Sequence, residues 1–472
     1  MNMHLLRSLP WLLAAAFAGC AAPPPLPPQA ALTPPAAFRA AAPEAPRLEA
    51  AWWQVFEDPL LSRLVARALD GNVGLQAAAA RVAQARALAD GSRAPARPQA
   101  ELNAGANRQG GPLVNAAGAN GTLITTSAAL AWEIDLSGRL AQAASAATLD
   151  AESRESLLAA ARLTVQAEVA QTYFALRSLD LERGLAESSL HAQRDGLQIA
   201  EQRVASGSLA AAELARWQAD VAGAEADLHA IERRRAEAEH ALALLLGEPA
   251  SSFTLDAAAW APRAPAVPAG IPSEVLARRA DIAAAAQSLA AAEARAGEAR
   301  SAWWPRLLLT MAGGQASPDL GTLLQSAARA WGVGLVASLP LLDGGRRDAE
   351  ARRADADVLA ARAAHRQQVL VALKEVEDQL AALRTLGREA GLRTQAVAAA
   401  ERASALQASR HAQGLASRID LLKAQRHEGE LRRQSLQVQS QQVQATVGLI
   451  RALGGGWAAP AATTAQAVQA DS

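Results

Sequence analysis

The feature that most constrains this 472-residue chain is an internal duplication with a single fixed offset. Pro98 and Pro305 lie 207 positions apart, and the same offset separates Gly138 from Gly345 and Gly207 from Gly414. Gly247 and Gly454 keep this offset too, as do Leu69 and Leu276, and Leu75 and Ile282. Because Gly and Pro permit or forbid particular backbone angles, matching positions predict matching architecture in the two halves.

Each half contains an unusually long segment without proline, running 69 residues from Gly138 to Gly207 and again from Gly345 to Gly414. As a continuous helix, such a segment would be about 100 Å long. The pattern predicts long helices at 138–206 and 345–413, and return helices at 208–246 and 415–453. Opening helices are predicted at Pro59–Arg93 and Pro272–Trp304. We therefore expect an extended helical column with its turns at one tip.

Four extended stretches are predicted to form strands near 99–108, 122–135, 306–315 and 331–341, around polar loops at roughly 109–121 and 314–328. Their uneven alternation is typical of outer-membrane strands, although a soluble sheet that caps a helical bundle would also fit. Trp132, Trp303 and Trp304 lie where strands meet helices, as a membrane-interface girdle requires. Four strands cannot close a barrel, and lipid does not tolerate open edges, so the membrane interpretation requires several chains to share one barrel.

The N-terminus is predicted to be a targeting segment. Residues 1–19 contain Arg7, an apolar run and small residues, which together indicate a secretory signal peptide. Cys20 follows directly and resembles the lipid-attachment site of a bacterial lipoprotein, although an ordinary signal peptide with an incidental cysteine is the alternative. A Pro-rich tether is expected at 20–50, a linker at 251–271 and a flexible tail at 457–472. No transmembrane helix is expected.

Charge and composition exclude several classes of protein. The chain has 46 Lys+Arg and 46 Asp+Glu, so it lacks the basic excess of a nucleic-acid binder. Its single cysteine excludes an internal disulfide framework and a Cys-based zinc site. The seven histidines show no metal-binding spacing, and the Gly332-Val-Gly334 stretch lacks the context of a dinucleotide fingerprint. We therefore expect no catalytic residues, no metal site and no cofactor, apart from a covalent lipid on Cys20.

Several stretches together resemble the outer-membrane efflux proteins, specifically the lipoprotein branch that serves tripartite resistance-nodulation-division pumps. In the first half they are AWWQVFEDPLLSRLVARALDGNVGLQAAAARVAQARA, WEIDLSGR, VAQTYFALR and ALALLLGEP. In the second half they are IPSEVLARRADIAAAAQSLAAAEAR, LPLLDGGRR, VEDQL, LKAQR and ALGGGW. The departures are local: Ala280 stands where the family has Pro, and Tyr173 is the only tyrosine.

This resemblance implies a mainly α protein with a membrane β-barrel. Three chains would share one twelve-stranded barrel, and their helices would form a periplasmic α-barrel that meets an adaptor protein and an inner-membrane pump. The protein would be a non-enzymatic exit duct in the outer membrane.

The resemblance also implies positions for partner docking and for a gate. Adaptor docking would use the helix-hairpin turns, although these residues would also serve purely as turns: Ser206, Gly207, Ser208, Leu209, Gln413, Gly414, Leu415 and Ala416. The periplasmic gate would use a ring of charges between chains, with Asp420, Lys423 and Arg426 as candidates. Their three-residue spacing places neighbouring candidates on one helical face, which is equally the pattern of a solvated surface.

Two alternatives remain at this stage. A duct for type I protein secretion would have the same fold and location but different partners. A periplasmic coiled-coil adaptor or scaffold lipoprotein would account for the helical hairpins and the lipid, but not for the four strands. The sequence does not identify the substrate.

Overall fold

The computed structural model describes residues 34–39, 51–109, 121–258, 260–268, 272–325 and 329–456. The predicted signal peptide, Cys20, most of the tether and the tail at 457–472 lie outside these residues. The helices are α1 Pro59–Gly71, α2 Val73–Arg93, α3 Arg139–Ala205, α4 Ala211–Leu246, α5 Pro272–Arg278, α6 Ala280–Ser301, α7 Arg346–Ala412 and α8 Arg418–Ala452. The strands are β1 Gln99–Gln109, β2 Gly121–Ile134, β3 Arg306–Ser317 and β4 Arg329–Ser338.

The chain divides into two compact units. The first contains the sheet and includes Ala80–Ser156 and Ala283–Gln367. Among the described residues, the second includes 34–79, 157–282 and 368–456 with the gaps given above. Each repeat contributes two strands to the first unit and one helix-hairpin turn to the second.

The four strands form one antiparallel sheet in the order β1-β2-β3-β4. The central pairing joins the two repeats, with Ala128 of β2 opposite Gly313 of β3. The fourth strand was predicted to end at residue 341, but it ends at Ser338, two residues before Pro340. Proline has no N–H to donate to a strand ladder, which accounts for the earlier end. The third strand continues to Ser317, so the loop predicted from 314 starts later.

The long helices have the predicted extent to within one residue at each end, but both return helices begin three residues later than predicted. The structure assigns 206–210 and 413–417 to the turns, because each helix reversal needs five residues rather than a single glycine. No helix in the described part of the chain combines the length and apolar content needed to cross a membrane.

The prediction of one continuous opening helix per repeat is wrong. The first opening helix breaks at Asn72 and the second at Arg279, which are repeat-equivalent positions. Asn72 donates from Nδ2 to the carbonyl of Leu245 at 2.9 Å, and Arg279 donates from Nη1 to the carbonyl of Ala452 at 2.8 Å. These two carbonyls are repeat-equivalent as well. The second opening helix ends at Ser301 instead of Trp304.

The main hydrophobic core lies in the second unit and draws on both repeats. Its fully buried side chains include Trp52, Leu61, Leu64, Val65, Phe174, Leu242, Leu449 and Ile450. The segment predicted as a linker contributes Phe253 and Val267 to this core, so it packs against the helices. Arg177 holds it further by donating to the carbonyl of Asp256 at 2.7 Å.

Candidate functional site

The sheet in the first unit has one face with four apolar rows and one face that is mainly small or polar. Leu102, Ala128, Gly313 and Trp331 form one row across the four strands, because they are paired in register. The neighbouring rows on this face contain Ala100, Leu130, Met311 and Val333, then Trp132, Leu309 and Leu335, then Ile134, Leu307 and Ala337. Four apolar rows cover about 20 Å along the strands.

Several side chains on this apolar face are open to solvent in the single chain, while Leu130, Trp132, Ile134, Leu307 and Leu309 on the central strands are half-buried. Leu102 is 82% exposed, Trp331 83% and Leu335 61%. The opposite face is mainly small or polar, with Glu101, Asn103, Asn107, Thr125, Ser127 and Thr310 along the strands. Its large apolar side chains are Leu123, Leu308 and Val336. A sheet with this division suits lipid on one side and water on the other.

The three predicted interface tryptophans have different surroundings. Trp132 donates from Nε1 to the carbonyl of Ala96 at 3.0 Å, and Trp304 is 57% exposed. Trp303 instead packs beneath Arg347, whose guanidinium carbon lies 4.6 Å from the ring centroid. Trp303 therefore contacts protein, while Trp304 has the exposure that a girdle residue needs.

Charged residues that sequence reasoning did not single out connect the strands to the long helices. Glu133 at the end of β2 binds Arg139 of α3 at 2.8 Å and Arg306 of β3 at 2.7 Å. Asp135 accepts from the N–H of Ala141 at 2.9 Å and so satisfies one free N–H in the first turn of α3. The stretch WEIDLSGR, one of those that resemble the family, could have indicated these roles, because a carboxylate and an arginine flank the start of the helix in it.

In the second repeat, Asp343 has the corresponding role at the start of α7. It accepts from the N–H groups of Gly345 and Arg347, and from Arg347 Nε at 2.7 Å. These contacts, led by the Arg347 side chain, hold the pKa of Asp343 below its ordinary value.

The predicted docking residues form two turns of the same kind in the second unit. Gly207 has φ +72°, and the N–H of Ser208 donates to the carbonyl of Arg203 at 2.8 Å. Gly414 has φ +73°, and the N–H of Leu415 donates to the carbonyl of Arg410 at 2.8 Å. This is the Schellman arrangement, in which glycine takes the left-handed position without a steric penalty.

The two turns differ in their side chains. Ser206 and Ser208 bond to each other and to the carbonyl of Arg203, while Leu209 is half-buried. In the second turn Leu415 is 65% exposed, and Gln413 and Gly414 are exposed as well. The exposed Leu415 therefore distinguishes the second turn from the first, in which Leu209 is half-buried.

Asp420 caps helix α8 together with Ser417. The Ser417 hydroxyl donates to Asp420 Oδ2 at 2.6 Å and accepts from the N–H of Asp420 at 3.1 Å. Bonds from the Ser417 hydroxyl and N–H, with smaller effects from the charges of Lys423 and Arg203, hold the pKa of Asp420 below its ordinary value. This capping box gives Asp420 a structural role that sequence spacing did not indicate.

The other two gate candidates border one cavity in the second unit. Arg426 binds Asp220 of α4 at 2.7 Å, so it already has a partner within the chain. Lys423 is exposed and forms no hydrogen bond or ion pair with any described residue, although its charge acts on Asp420. Both side chains line a cavity of about 520 Å³ between α3, α4 and α8.

The remaining predicted site, Cys20, lies outside the described residues. Among the residues described, no group of three or more His, Cys, Asp or Glu side chains is placed to hold a metal ion.

Known proteins resemble this chain along most of its length. Residues 64–248 and 271–455 each match the family described as outer membrane efflux protein. The pyoverdine export outer membrane protein OpmQ of Pseudomonas putida is 32% identical, over 93% of this chain and 95% of that protein. Outer membrane protein OprJ of Pseudomonas aeruginosa is 32% identical, over 86% of each chain.

A solved structure of the outer-membrane channel OprN has a TM-score of 0.83 at 31% identity, covering 92% of this chain and 99% of the other. The toluene efflux pump outer membrane protein TtgI of Pseudomonas putida is 30% identical, over 86% of this chain and 87% of that protein.

Proposed function

This chain belongs to the outer membrane efflux protein family, and we propose that it is the exit duct of a tripartite efflux pump. Three copies would enclose one channel, and the duct would receive small molecules from an inner-membrane pump through a periplasmic adaptor. The observation that carries this proposal is the two-faced sheet. Its apolar rows are too exposed for a single chain in water, and its polar face suits a water-filled lumen.

The sheet also has two unpaired edges, β1 and β4, at the ends of its strand order. Exposed strand edges pair readily with other chains, and open edges do not persist in lipid. Pairing β4 of one copy with β1 of the next would remove both edges. Three copies of four strands would give the twelve-stranded barrel that the family implies.

A pair of neighbouring substitutions tests this proposal. Leu102→Arg places a charge on the apolar face, and Asn103→Arg places the same charge on the polar face of the same strand. An arginine facing lipid near the bilayer midplane costs about 2–4 kcal/mol, whereas a lumen-facing arginine does not. We expect Leu102→Arg to reduce the amount recovered from outer membranes as a heat-modifiable oligomer, and Asn103→Arg to behave like the parent. Equal behaviour of the two variants would favour a soluble sheet.

Three finer roles belong to the same proposal. Cys20 would carry the covalent lipid, because it is the chain's only cysteine and directly follows the predicted signal peptide. The turns at 206–209 and 413–415 would contact the adaptor, supported by the exposure of Leu415. Asp420, Lys423 and Arg426 would restrict the channel near the second turn, supported by the exposed charge of Lys423.

The transported class is proposed to be small organic molecules, since the relatives are named for pyoverdine export and toluene efflux. Deleting the gene and measuring susceptibility to a panel of drugs and solvents tests this role. Unchanged susceptibility to every compound, with secretion of a large protein lost instead, would favour the protein-secretion alternative.

A further inference from the structure

The apolar face of the sheet contains a depression at one row. In the row that joins Leu102, Ala128, Gly313 and Trp331, the two outer strands carry large side chains and the two central strands carry almost none. Ala128 and Gly313 are both exposed, and a Cβ added at Gly313 would meet one atom within 4 Å, the Cβ of Trp331 at 4.0 Å. We call this depression the notch, and it has room for an apolar group that the single chain does not supply.

The surroundings of the notch are apolar on three sides. Leu102 and Trp331 flank it, and the neighbouring row on the side of the helices contributes Leu130, Met311 and Val333. Together they line an open cavity of about 660 Å³ on the face of the sheet. Glu101 also borders this cavity, but neighbouring strand residues point to opposite faces, so its side chain belongs to the polar face. Such a cavity favours a hydrocarbon chain, because burial removes apolar surface from water on both partners.

The fourth side of the notch is polar. The next row away from the helices contains Ala104, Thr126, Gln315 and Arg329. Arg329 is the first residue of β4 and lies about 7 Å beyond Trp331 on the same face. Oε1 of Gln315 is buried and accepts no hydrogen bond within the described part of the chain. A guanidinium and a free amide acceptor therefore lie next to an apolar groove, which is the arrangement that a lipid headgroup and its acyl chain require.

The charge at this end of the sheet is positive and unpaired. Residues 103–126 and 313–331 include three charged residues, Arg108, Asp319 and Arg329. Register places Arg108 on the apolar face, as it does Arg329. Both arginine side chains are exposed, and neither forms a hydrogen bond or ion pair with a residue in the described ranges. The sequence at 110–120 and 326–328 contains no acidic residue that could pair with them.

The arginines at the other end of the sheet behave differently. Arg306 and Arg139 both bind Glu133, at 2.7 Å and 2.8 Å. Positive charge is thus neutralised within the chain where the strands meet the helices, and it is left unneutralised where they end. In the proposed duct the helices lie in the periplasm, so the unneutralised end lies at the outer leaflet of the membrane. The contrast indicates an anionic partner at that leaflet.

We propose that Arg329 and the notch bind a phosphate-bearing lipid of the outer leaflet, with its phosphate on Arg329 and one acyl chain in the notch. The proposal rests on the proposed duct and adds a lipid site to its barrel. The planar guanidinium of arginine binds a phosphate through two parallel N–H···O contacts. Trp331, directly below, is the residue type enriched at membrane interfaces. Pairing β4 of one copy with β1 of the next would bring Arg108 of a neighbouring copy to the same outer rim, so a trimer would have three sites.

Native mass spectrometry of the detergent-solubilised full chain with added lipid A, an acylated and phosphorylated disaccharide, tests the site. We expect up to three molecules bound per trimer. Arg329→Gln should raise the lipid A concentration for half occupancy at least about tenfold, because it removes a charge-assisted contact. Arg329→Lys keeps the charge without the planar fork and should recover part of the loss. Asn107→Asp is the matched control, because it makes the same change in net charge on the polar face of β1 and should bind like the parent.

A second pair of variants tests the notch without changing any charge. Ala128→Leu fills the notch, whereas Ala337→Leu makes the same change on the same face in the row nearest the helices. Both variants keep the face apolar, so both should be recovered from outer membranes like the parent. We expect Ala128→Leu to raise the lipid A concentration for half occupancy at least about threefold, and Ala337→Leu to leave it unchanged.

Two further probes separate the parts of the ligand. Diacylglycerol has acyl chains but no phosphate, and inorganic phosphate has no acyl chain. We expect neither to compete with lipid A at equal concentration. Equal binding of diacylglycerol would show that the phosphate is not recognised, and displacement by inorganic phosphate would show that the notch contributes nothing. Either result would overturn the proposal.

The outcomes also distinguish this inference from the proposed function. If the parent is a trimer from the outer membrane but Arg329→Gln and Ala128→Leu both bind lipid A as it does, the lipid site is wrong and the duct stands. If Arg329→Gln does not assemble, Ala128→Leu decides, and unchanged binding by that variant overturns the site. If the parent itself is monomeric and absent from outer membranes, the duct fails and the lipid site fails with it.

Discussion

Arg279 at the helix break of the second repeat gives the sharpest stability prediction. Its side chain is only 8% exposed and forms three kinds of contact. It binds Asp281 at 2.6 Å and Glu375 at 2.8 Å, and it donates to the carbonyl of Ala452 at 2.8 Å. Arg279→Met keeps most of the volume but leaves two carboxylates without their main cation.

The size of the effect follows from burial. Removing one partner from a buried ion pair costs about 3–5 kcal/mol, because the remaining charge is left uncompensated. The Asp281 and Glu375 side chains keep 26% and 30% exposure, so water screens part of that charge. We therefore expect Arg279→Met to lower the free energy of unfolding by about 2–4 kcal/mol at neutral pH.

The pH dependence has a definite sign. Burial raises the pKa of Asp281, but the hydrogen bonds and charge of Arg279 outweigh it and hold that pKa below its ordinary value. In the parent, Asp281 therefore stabilises the fold above its unfolded-state pKa, and this contribution is lost as pH falls through the lowered folded-state pKa. Without Arg279, burial dominates and raises that pKa. The difference between variant and parent should then shrink between about pH 7 and pH 4.

Guanidinium unfolding in detergent, followed by circular dichroism at several pH values, measures this difference. Arg278→Met is the control, since Arg278 is 23% exposed and pairs with Glu274, which is 46% exposed, so water screens this pair more than that of Arg279 and a smaller loss is expected. Adding Asp281→Asn and Glu375→Gln to Arg279→Met should recover much of the loss. A loss below about 1 kcal/mol at neutral pH, or a loss that stays the same between about pH 7 and pH 4, would refute the reasoning.

Three further predictions follow from the sites. Asp420→Ala should raise the closed-state conductance in planar bilayers. Ser417→Ala loses about 1 kcal/mol of helix capping but keeps the charge of Asp420, so it should leave the conductance unchanged. Equal conductance of the two variants would remove Asp420 from the gate. Cys20→Ser should abolish incorporation of labelled palmitate, and persistent label would place the lipid elsewhere. Tyr173→Phe should cost about 1.5–3 kcal/mol in thermal unfolding, because the hydroxyl donates to Asp58 at 2.6 Å.

The family and the fold class predicted from the sequence are confirmed. Glycine explains why the turn positions were readable: Gly207 and Gly414 take left-handed angles that other residues resist. The turns were placed correctly, but their width was not. A Schellman turn followed by a new helix start uses several ordinary residues, which carry no distinctive signal.

The helix breaks at Asn72 and Arg279 could not be predicted, for a physical reason. Neither position is a glycine or proline, and arginine is a good helix former. Each break is held by a carbonyl on a helix more than 170 residues away, at Leu245 or Ala452. Local propensity contains no information about such a distant acceptor.

The assignment of strand residues to the two faces of the sheet could not be predicted from the sequence either. Many strand positions are Ala or Gly, which are neither strongly apolar nor polar. The alternation of apolar and polar residues along one strand is therefore weak. The register of the paired strands assigns these residues to a face, because Ala128 and Gly313 lie in the same row as Leu102 and Trp331. The membrane-facing surface is thus a property of four paired strands.

Comparing the two repeats shows which features of the backbone are common to both and which side chains differ. Asn72 and Arg279 donate to equivalent carbonyls, so the backbone geometry of the break has been kept while the side chain has changed. Ala210 offers no side-chain cap to α4, whereas its repeat equivalent Ser417 caps α8 with Asp420. In both cases the second repeat has the more charged or more polar side chain at an equivalent backbone position. An enclosing ring of helices requires repeat-equivalent helices to follow the same backbone path. Each side chain can still adapt to its own neighbours. Where repeat-equivalent residues differ, the two halves therefore face different surroundings.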